Sequence, residues 1–433
     1  MKRLGMLICA LVLGITMHTV YAEETETKAE NGVAAASEDE KSQEGIIKLT
    51  LKKIYGFEGE RKSGIVPFVY YLNEAGPMAG MFYYNSDTFK MGGETTVTTM
   101  YSPTTDIATL WLQSKNFKAG KHWKFGTTMR LIKYNDIRNY WPGNDSPSNA
   151  ADEAEIAKFK QNYYLVSTGA LPPSVLDEQR SEKSDELRGY KKYEGFNNMG
   201  NIRVSYMLNE NHELYLEPQY EVLKTQVNRY QSDTVTAAYK INKKDSDSAP
   251  HEGYQAEFKI KKSLNMLSKD EENSWDYYKL IFDGRKYIPI TKRSTLALRF
   301  KTESTGGKKV VDKERSLIAG EEIYSYAPFF DMAILGDLEI MRGSYMNRYW
   351  GKHSVLFQGE YRFPLFKKEG VQGVIFTDIG RVSNNYGTEL LKYLQINGGA
   401  GIRYFFNKDI MLRMDIGTSK EGMQMRANLG HAF

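Results

Sequence analysis

Tyr254-Gln255-Ala256-Glu257-Phe258-Lys259-Ile260-Lys261 alternates apolar or small side chains with polar ones at every step. In an extended chain successive side chains point to opposite faces, so this stretch has one apolar face and one charged face. The same pattern returns downstream. Ile410, Leu412, Met414 and Ile416 stand opposite Met411, Arg413 and Asp415. Val355, Phe357, Tyr361 and Phe363 stand opposite Ser354, Gln358, Glu360 and Arg362. In a soluble sandwich the apolar face packs into a core. In a membrane barrel it meets lipid, and the charges line the lumen. Alternation alone leaves both open. Several runs reach ten or more residues, the length of a tilted membrane crossing, and this favours the barrel.

Read outward from these stretches, the chain offers about sixteen candidate strands, bounded by turn residues. They fall near 77–86, 93–102, 105–114, 121–134, 155–167, 198–208, 212–226, 233–245, 252–263, 275–287, 292–302, 352–364, 371–382, 395–405, 409–417 and 423–433. Tight polar turns at Asn209-Glu210-Asn211, Pro289 to Lys292 and Asn407-Lys408-Asp409 join even to odd strands. Longer connections near 168–197, 264–274, 303–351 and 383–394 join odd to even. Short turns at one end and long loops at the other are the outer-membrane arrangement, with both chain ends in the periplasm. The expected fold is all-β, a transmembrane antiparallel barrel of residues 64–433.

The N-terminus fits this address. Met1-Lys2-Arg3 precedes an apolar run from Leu4 to Val20, and Ala22 precedes Glu23. A basic start, a short apolar stretch and a small terminal residue make a secretory leader, residues 1–22. The alternative, a retained helix, is disfavoured by Gly14, Thr16, His18 and Thr19. The single cysteine, Cys9, lies inside the leader, so the mature chain is expected to carry no disulfide. Residues 23–63 open with an acidic run, Glu23 to Gln43, almost without large apolar residues. It reads as a disordered tail and periplasmic lead-in. Mean hydropathy is low, −0.53, which suits strands with one apolar face. The aromatic share of 13%, with 30 tyrosines, suits interfacial girdles. A net charge of +4 spread along the chain points to no nucleic-acid partner.

The last third carries motifs in a recognisable order. Ala327-Pro328-Phe329-Phe330 is followed by Leu335-Gly336 and by Met341-Arg342-Gly343-Ser344-Tyr345. Next come Phe357 to Leu365 (FQGEYRFPL), Phe376 to Val382 (FTDIGRV), Gly399-Ala400-Gly401-Ile402-Arg403-Tyr404 and a terminal Phe433. Upstream, Pro67 to Gly80 and Tyr140-Trp141-Pro142-Gly143-Asn144 add to the likeness. Together these resemble the BamA/TamA superfamily of outer-membrane proteins, also called the bacterial surface antigen family. The short stretch before residue 64 leaves no room for a POTRA domain, so the chain resembles the barrel-only branch.

The resemblance implies that Arg342 and Gly343 sit on a long loop folded into the lumen. It implies that Arg342 meets acidic residues matching Glu360 and Asp378, with Gly380 in the same motif. The alternation agrees on faces: Glu360 lies opposite Phe357, Tyr361 and Phe363, and Asp378 opposite Ile375, Thr377 and Ile379. A guanidinium can bridge two carboxylates where an ammonium cannot. Such a cluster would pin residues 306–350. The closing strand sets Met423, Met425, Ala427, Leu429 and Phe433 on one face, with His431 at the interface. Leu429, His431 and Phe433 resemble the signal read by barrel-assembly machinery.

Catalytic, cofactor and metal sites are not expected. No GxSxG occurs, and the six histidines show no metal-ligand spacing. His251-Glu252-Gly253 and Ala119-Gly120-Lys121-His122 read as turns. The expected function is envelope biogenesis, the insertion or translocation of protein or lipid. The alternative is a passive pore or surface antigen. Expected partners are outer-membrane lipid, the barrel-assembly machinery during insertion, and a periplasmic protein of unknown identity.

Overall fold

The exposed face of the alternating strands is the apolar one, and this decides between sandwich and barrel. In the computed structural model Phe258 and Ile260 are each 44% exposed, while Gln255, Glu257 and Lys261 are 7–8% exposed. Ile375, Ile402, Met414 and Ile416 are exposed in the same way, and Asp378, Arg403, Arg413 and Asp415 are buried. A protein folded in water would bury the first set and expose the second. A barrel in lipid does the reverse. The structure describes residues 63–72, 75–140, 190–224, 229–267, 275–311, 324–365, 370–405, 411–420 and 422–433. The leader, the acidic run and the candidate strand at 155–167 lie outside them.

Twenty strands follow in chain order. The first eleven are β1 (Ser63–Leu72), β2 (Gly76–Thr88), β3 (Gly93–Ser102), β4 (Ile107–Ala119), β5 (Trp123–Tyr140), β6 (Tyr190–Asn209), β7 (His212–Lys224), β8 (Arg229–Lys244), β9 (Gly253–Ser263), β10 (Tyr277–Thr291) and β11 (Ser294–Gly307). Four short ones follow: β12 (Val310–Val311), β13 (Tyr324–Ser325), β14 (Ala333–Leu335) and β15 (Tyr349–Gly351). The last five are β16 (His353–Pro364), β17 (Val371–Ser383), β18 (Gln395–Phe405), β19 (Met411–Ser419) and β20 (Gly422–Leu429). β1–β11 and β16–β20 form one sixteen-stranded antiparallel sheet in sequence order. β1 and β20 come side by side, yet no ladder joins them among the described residues.

β1 was not among the expected strands. Pro67 stands in its middle, paired with Met81, and a proline argues against a central strand because it cannot donate to a ladder. β1 tolerates it because its ladder runs on one side only, to β2.

The chain end also departs from expectation. β20 stops at Leu429, and Gly430 takes a positive φ of 81°, which glycine adopts without a Cβ clash. The last residues therefore leave the lipid-facing stripe. Phe433 is buried with Tyr287, Ala297 and Ala432, where an extended strand to residue 433 would have placed it against lipid.

Residues 308–352 join β11 to β16, and the described part from 327 to 350 enters the lumen. Within this connection β12 pairs with β13 and β14 with β15. Ala327, Phe329, Met332 and Trp350 pack against Met78, Ile107, Tyr134, Leu223, Tyr230 and Trp275. Each of these six lies in or beside the end of a strand where the longer connections emerge. An apolar core thus caps that end of the lumen from within. Burying such side chains stabilises by about 25 cal/mol per Å² removed from water.

Candidate functional site

Below the apolar cap the lumen is crossed by buried charges. Arg342 lies on the luminal connection and is fully buried. Its Nη2 is 2.8 Å from Asp378 Oδ1 and its Nε donates to Asp378 Oδ2 at 3.0 Å. Its backbone N–H donates to the same Oδ2 at 2.9 Å. Its Nη1 donates to Glu360 Oε1 and lies 3.4 Å from Asp415 Oδ2. The guanidinium stacks 3.6 Å from the ring centre of Phe376. Burial alone would make Arg342 easier to deprotonate, but Asp378 and then Glu360 outweigh it and hold the guanidinium charged. A planar fork with five donors fits this geometry, and a point charge does not.

Close backbone approach brings the arginine there. A Cβ on Gly343 would lie 2.5 Å from the Thr418 carbonyl oxygen, and one on Gly417 would lie 2.7 Å from Gly343 N. The connection therefore touches β19 through two glycines. Gly380 leaves room on β17 for Leu335 and Met341. Just beyond, Asn397 Nδ2 donates to Ser344 Oγ at 2.9 Å and Arg426 Nη2 to Ser344 O at 2.7 Å.

More residues join than the motifs indicated. Arg403 Nη1 lies 2.6 Å from Asp415 Oδ1. Arg362 Nε lies 2.9 Å from Glu360 Oε2. Gln358 Nε2 donates to Asp378 Oδ1 at 3.0 Å. Asp415, Arg403 and Arg362 all sit on the polar face of an alternating stretch, so their inward direction was readable. Which of them meets Arg342 was not. On the same connection, burial pushes the Glu339 carboxyl up, and Arg413 offsets only part of that.

A second cluster holds the same connection against a different wall. Asp331 is 4% exposed. It accepts from Lys261 Nζ on β9 and from the Tyr277 hydroxyl on β10, and Ser232 Oγ of β8 lies at 3.4 Å. Lys279 Nζ donates to the Met332 carbonyl at 2.9 Å and pairs with Glu303 at 2.8 Å. Burial would push the Asp331 carboxyl up, but Lys261 and Lys279 more than offset this and hold it below the usual range. No motif pointed to Asp331.

The remaining candidates lie at the chain end, which meets the Arg342 cluster through Arg362. Phe433 accepts a hydrogen bond at its backbone oxygen from Arg362 Nη2 at 2.8 Å. Its ring lies 5.5 Å from the Arg362 guanidinium. His431 follows Gly430 beside Phe405, and Leu429 ends β20. Among the described residues no group of three or more His, Cys, Asp or Glu is placed to hold a metal.

An inverted alternation, sixteen strands in order and a luminal plug define an outer-membrane β-barrel protein. Residues 132–404, more than half of the chain, match the model of the Omp85 superfamily domain. The chain belongs to the Omp85 superfamily. No curated protein matches it in sequence. Among solved structures it is similar to BamA from Haemophilus ducreyi lacking POTRA domains 1–3, with a TM-score of 0.51 and 13% identity over 86% of this chain and 70% of that one. It is also similar to CdiB from Escherichia coli, with a TM-score of 0.54 and 9% identity over 85% of this chain and 61% of that one. At such identities the likeness is one of fold. The family and both folds place the protein in the outer membrane.

Proposed function

We propose that this barrel acts in envelope biogenesis, handling a protein or lipid component of the outer membrane rather than passing small solutes. The observation that carries the reading is the seam between β1 and β20. The two strands lie side by side with no ladder between them among the described residues, and β20, with 8 residues, is the shortest strand of the sheet. In a membrane core an unpaired strand edge is costly, and it is also a template on which another strand can pair. A seam that opens offers an entering chain both a template and a route to lipid. The capped lumen argues in the same direction, because a diffusion pore is served by an open channel.

The second reading, a passive pore or surface antigen, draws support from the polar lining of the lumen. Depletion of the protein from its native membrane separates the two. Loss of a class of outer-membrane protein or of outer-leaflet lipid is expected. An unchanged membrane with only altered solute permeability would favour the pore. Partners in this reading are outer-membrane lipid, a periplasmic protein, and the assembly machinery that reads Leu429, His431 and Phe433 before the barrel closes. Deleting Phe433 should lower the amount of heat-modifiable barrel, and normal levels would overturn that role. Arg342, Gly343, Glu360, Asp378 and Gly380 act in this reading as the structural latch of the luminal connection, and no catalytic residue is assigned.

A further inference from the structure

At the short-turn end of the barrel three turns converge on a cavity of about 250 Å³. Pro250 and His251 contribute from the β8–β9 turn, Lys292 and Arg293 from the β10–β11 turn, and Val371 and Gln372 from the start of β17. Arg362, Phe405 and His431 also line it. Three cations and two imidazoles line this space, with no carboxylate among the described residues. Arg362 is 2% exposed. Its Nε is taken by Glu360 and its Nη2 by the Phe433 carbonyl. Its Nη1 is buried with no hydrogen-bond partner among the described residues, and so is His431 Nδ1. A buried donor without an acceptor is costly, and more so when it is charged. Arg362 thus keeps one donor, Nη1, for an acceptor other than Glu360 and Phe433.

We propose that this cavity binds carboxylates of the chain's own acidic segment, residues 23–43. Three observations select that occupant. The segment carries seven carboxylates, including the run Glu38-Asp39-Glu40, against two lysines, which complements the lining. With sixteen strands the barrel brings its two ends to one side, so Ser63 and Leu429 share the end that bears the cavity whichever way the barrel faces. The tether also reaches: β1 starts beside β20, and residues 44–62 extend to roughly 60 Å at about 3.3 Å each. A carboxylate is the acceptor a guanidinium prefers, through charge-assisted N–H···O bonds. The inference goes beyond the role in biogenesis and does not depend on it.

Cysteine pairing in the full exported chain tests it. Asp39→Cys is combined with Ala249→Cys, which lines the cavity, or with Lys121→Cys in the β4–β5 turn at the same end as a control. The only native cysteine, Cys9, lies in the leader. The first pair should form an intrachain disulfide about tenfold more efficiently than the second, because binding raises the local concentration of the tethered segment. Glu38→Gln with Glu40→Gln should erase that preference, as should Lys292→Gln with Arg293→Gln, which spares the contact of Arg362 with Phe433. Heat-modifiable gel mobility confirms in each case that the barrel has formed. Equal disulfide yield at both positions in folded barrels would overturn the proposal. So would a preference untouched by neutralising the charges, or disulfides formed only between two chains.

Discussion

The luminal connection is held at two places, and the two are built in opposite senses. At Arg342 the connection supplies the cation and the wall supplies the anions, from β16, β17 and β19. At Asp331 the connection supplies the anion, and Lys261 and Tyr277 on β9 and β10 supply the donors. The Arg342 site is planar and multidentate, fixed by two glycine contacts. The Asp331 site rests on point donors beneath an apolar cap. Opposite signs on one connection against two walls set its orientation in the barrel, because turning it round would place like charges together. They also divide the labour: one site fixes geometry, and the other fastens a part already held by hydrophobic packing.

That comparison is most exposed at Arg342. Arg342→Ala leaves Glu360, Asp378 and Asp415 without their shared partner. Loss of one member of a buried charge pair costs about 3–5 kcal/mol, less where water reaches. The sheet should persist because its backbone hydrogen bonds are independent of the latch. Limited proteolysis from the cell surface should then cut between residues 306 and 350, and conductance in planar bilayers should rise. Unchanged cleavage and conductance would remove Arg342 from its role as a latch.

Asp331→Ala should act less strongly. It strands Lys261 and Tyr277, but Phe329, Met332 and Trp350 still pack in the cap. A local loss of about 3 kcal/mol, the low end for a broken buried pair, is expected, seen as faster amide exchange in 324–335 with little change around 341–345. Equal loosening of both segments would show that the two sites act as one unit.

Arg342→Lys sharpens the chemical side of the contrast. The ammonium keeps the charge but cannot span Glu360 and Asp378 in a plane, so protection from proteolysis should return only in part. Full rescue would mean that charge alone matters there.

The smallest effect is in pH. Asp331 is held below its usual range by Lys261 and Lys279 against the opposing effect of burial. A depressed carboxyl contributes its full stability above the unfolded value, about 3.9, and loses it as pH falls through the folded value. Amide exchange in 324–335 should therefore be flat near neutrality and rise only under acid. Asp331→Asn should remove the acid-dependent part, and a rise persisting in that variant would assign it to another carboxylate.

Much of this was legible in the residues. Period-two alternation located the strands from β2 to β11 and from β16 to β20, because a strand in lipid needs one continuous apolar face and writes it into the sequence. The family resemblance implied that Arg342 meets Glu360 and Asp378, while alternation by itself gave only their inward faces. Tertiary structure decided the rest. β1 was hidden by Pro67, whose cost depends on whether a ladder continues beyond it. Asp331 was hidden because its donors come from strands 54 to 99 residues away, and no local pattern encodes such a meeting. Phe433 turned inward because Gly430 releases the chain from the sheet, while Tyr287 and Ala297 offer it a buried site. Alternation is a property of a single strand and survives in sequence. Which charges meet across a lumen depends on how sixteen strands close around it.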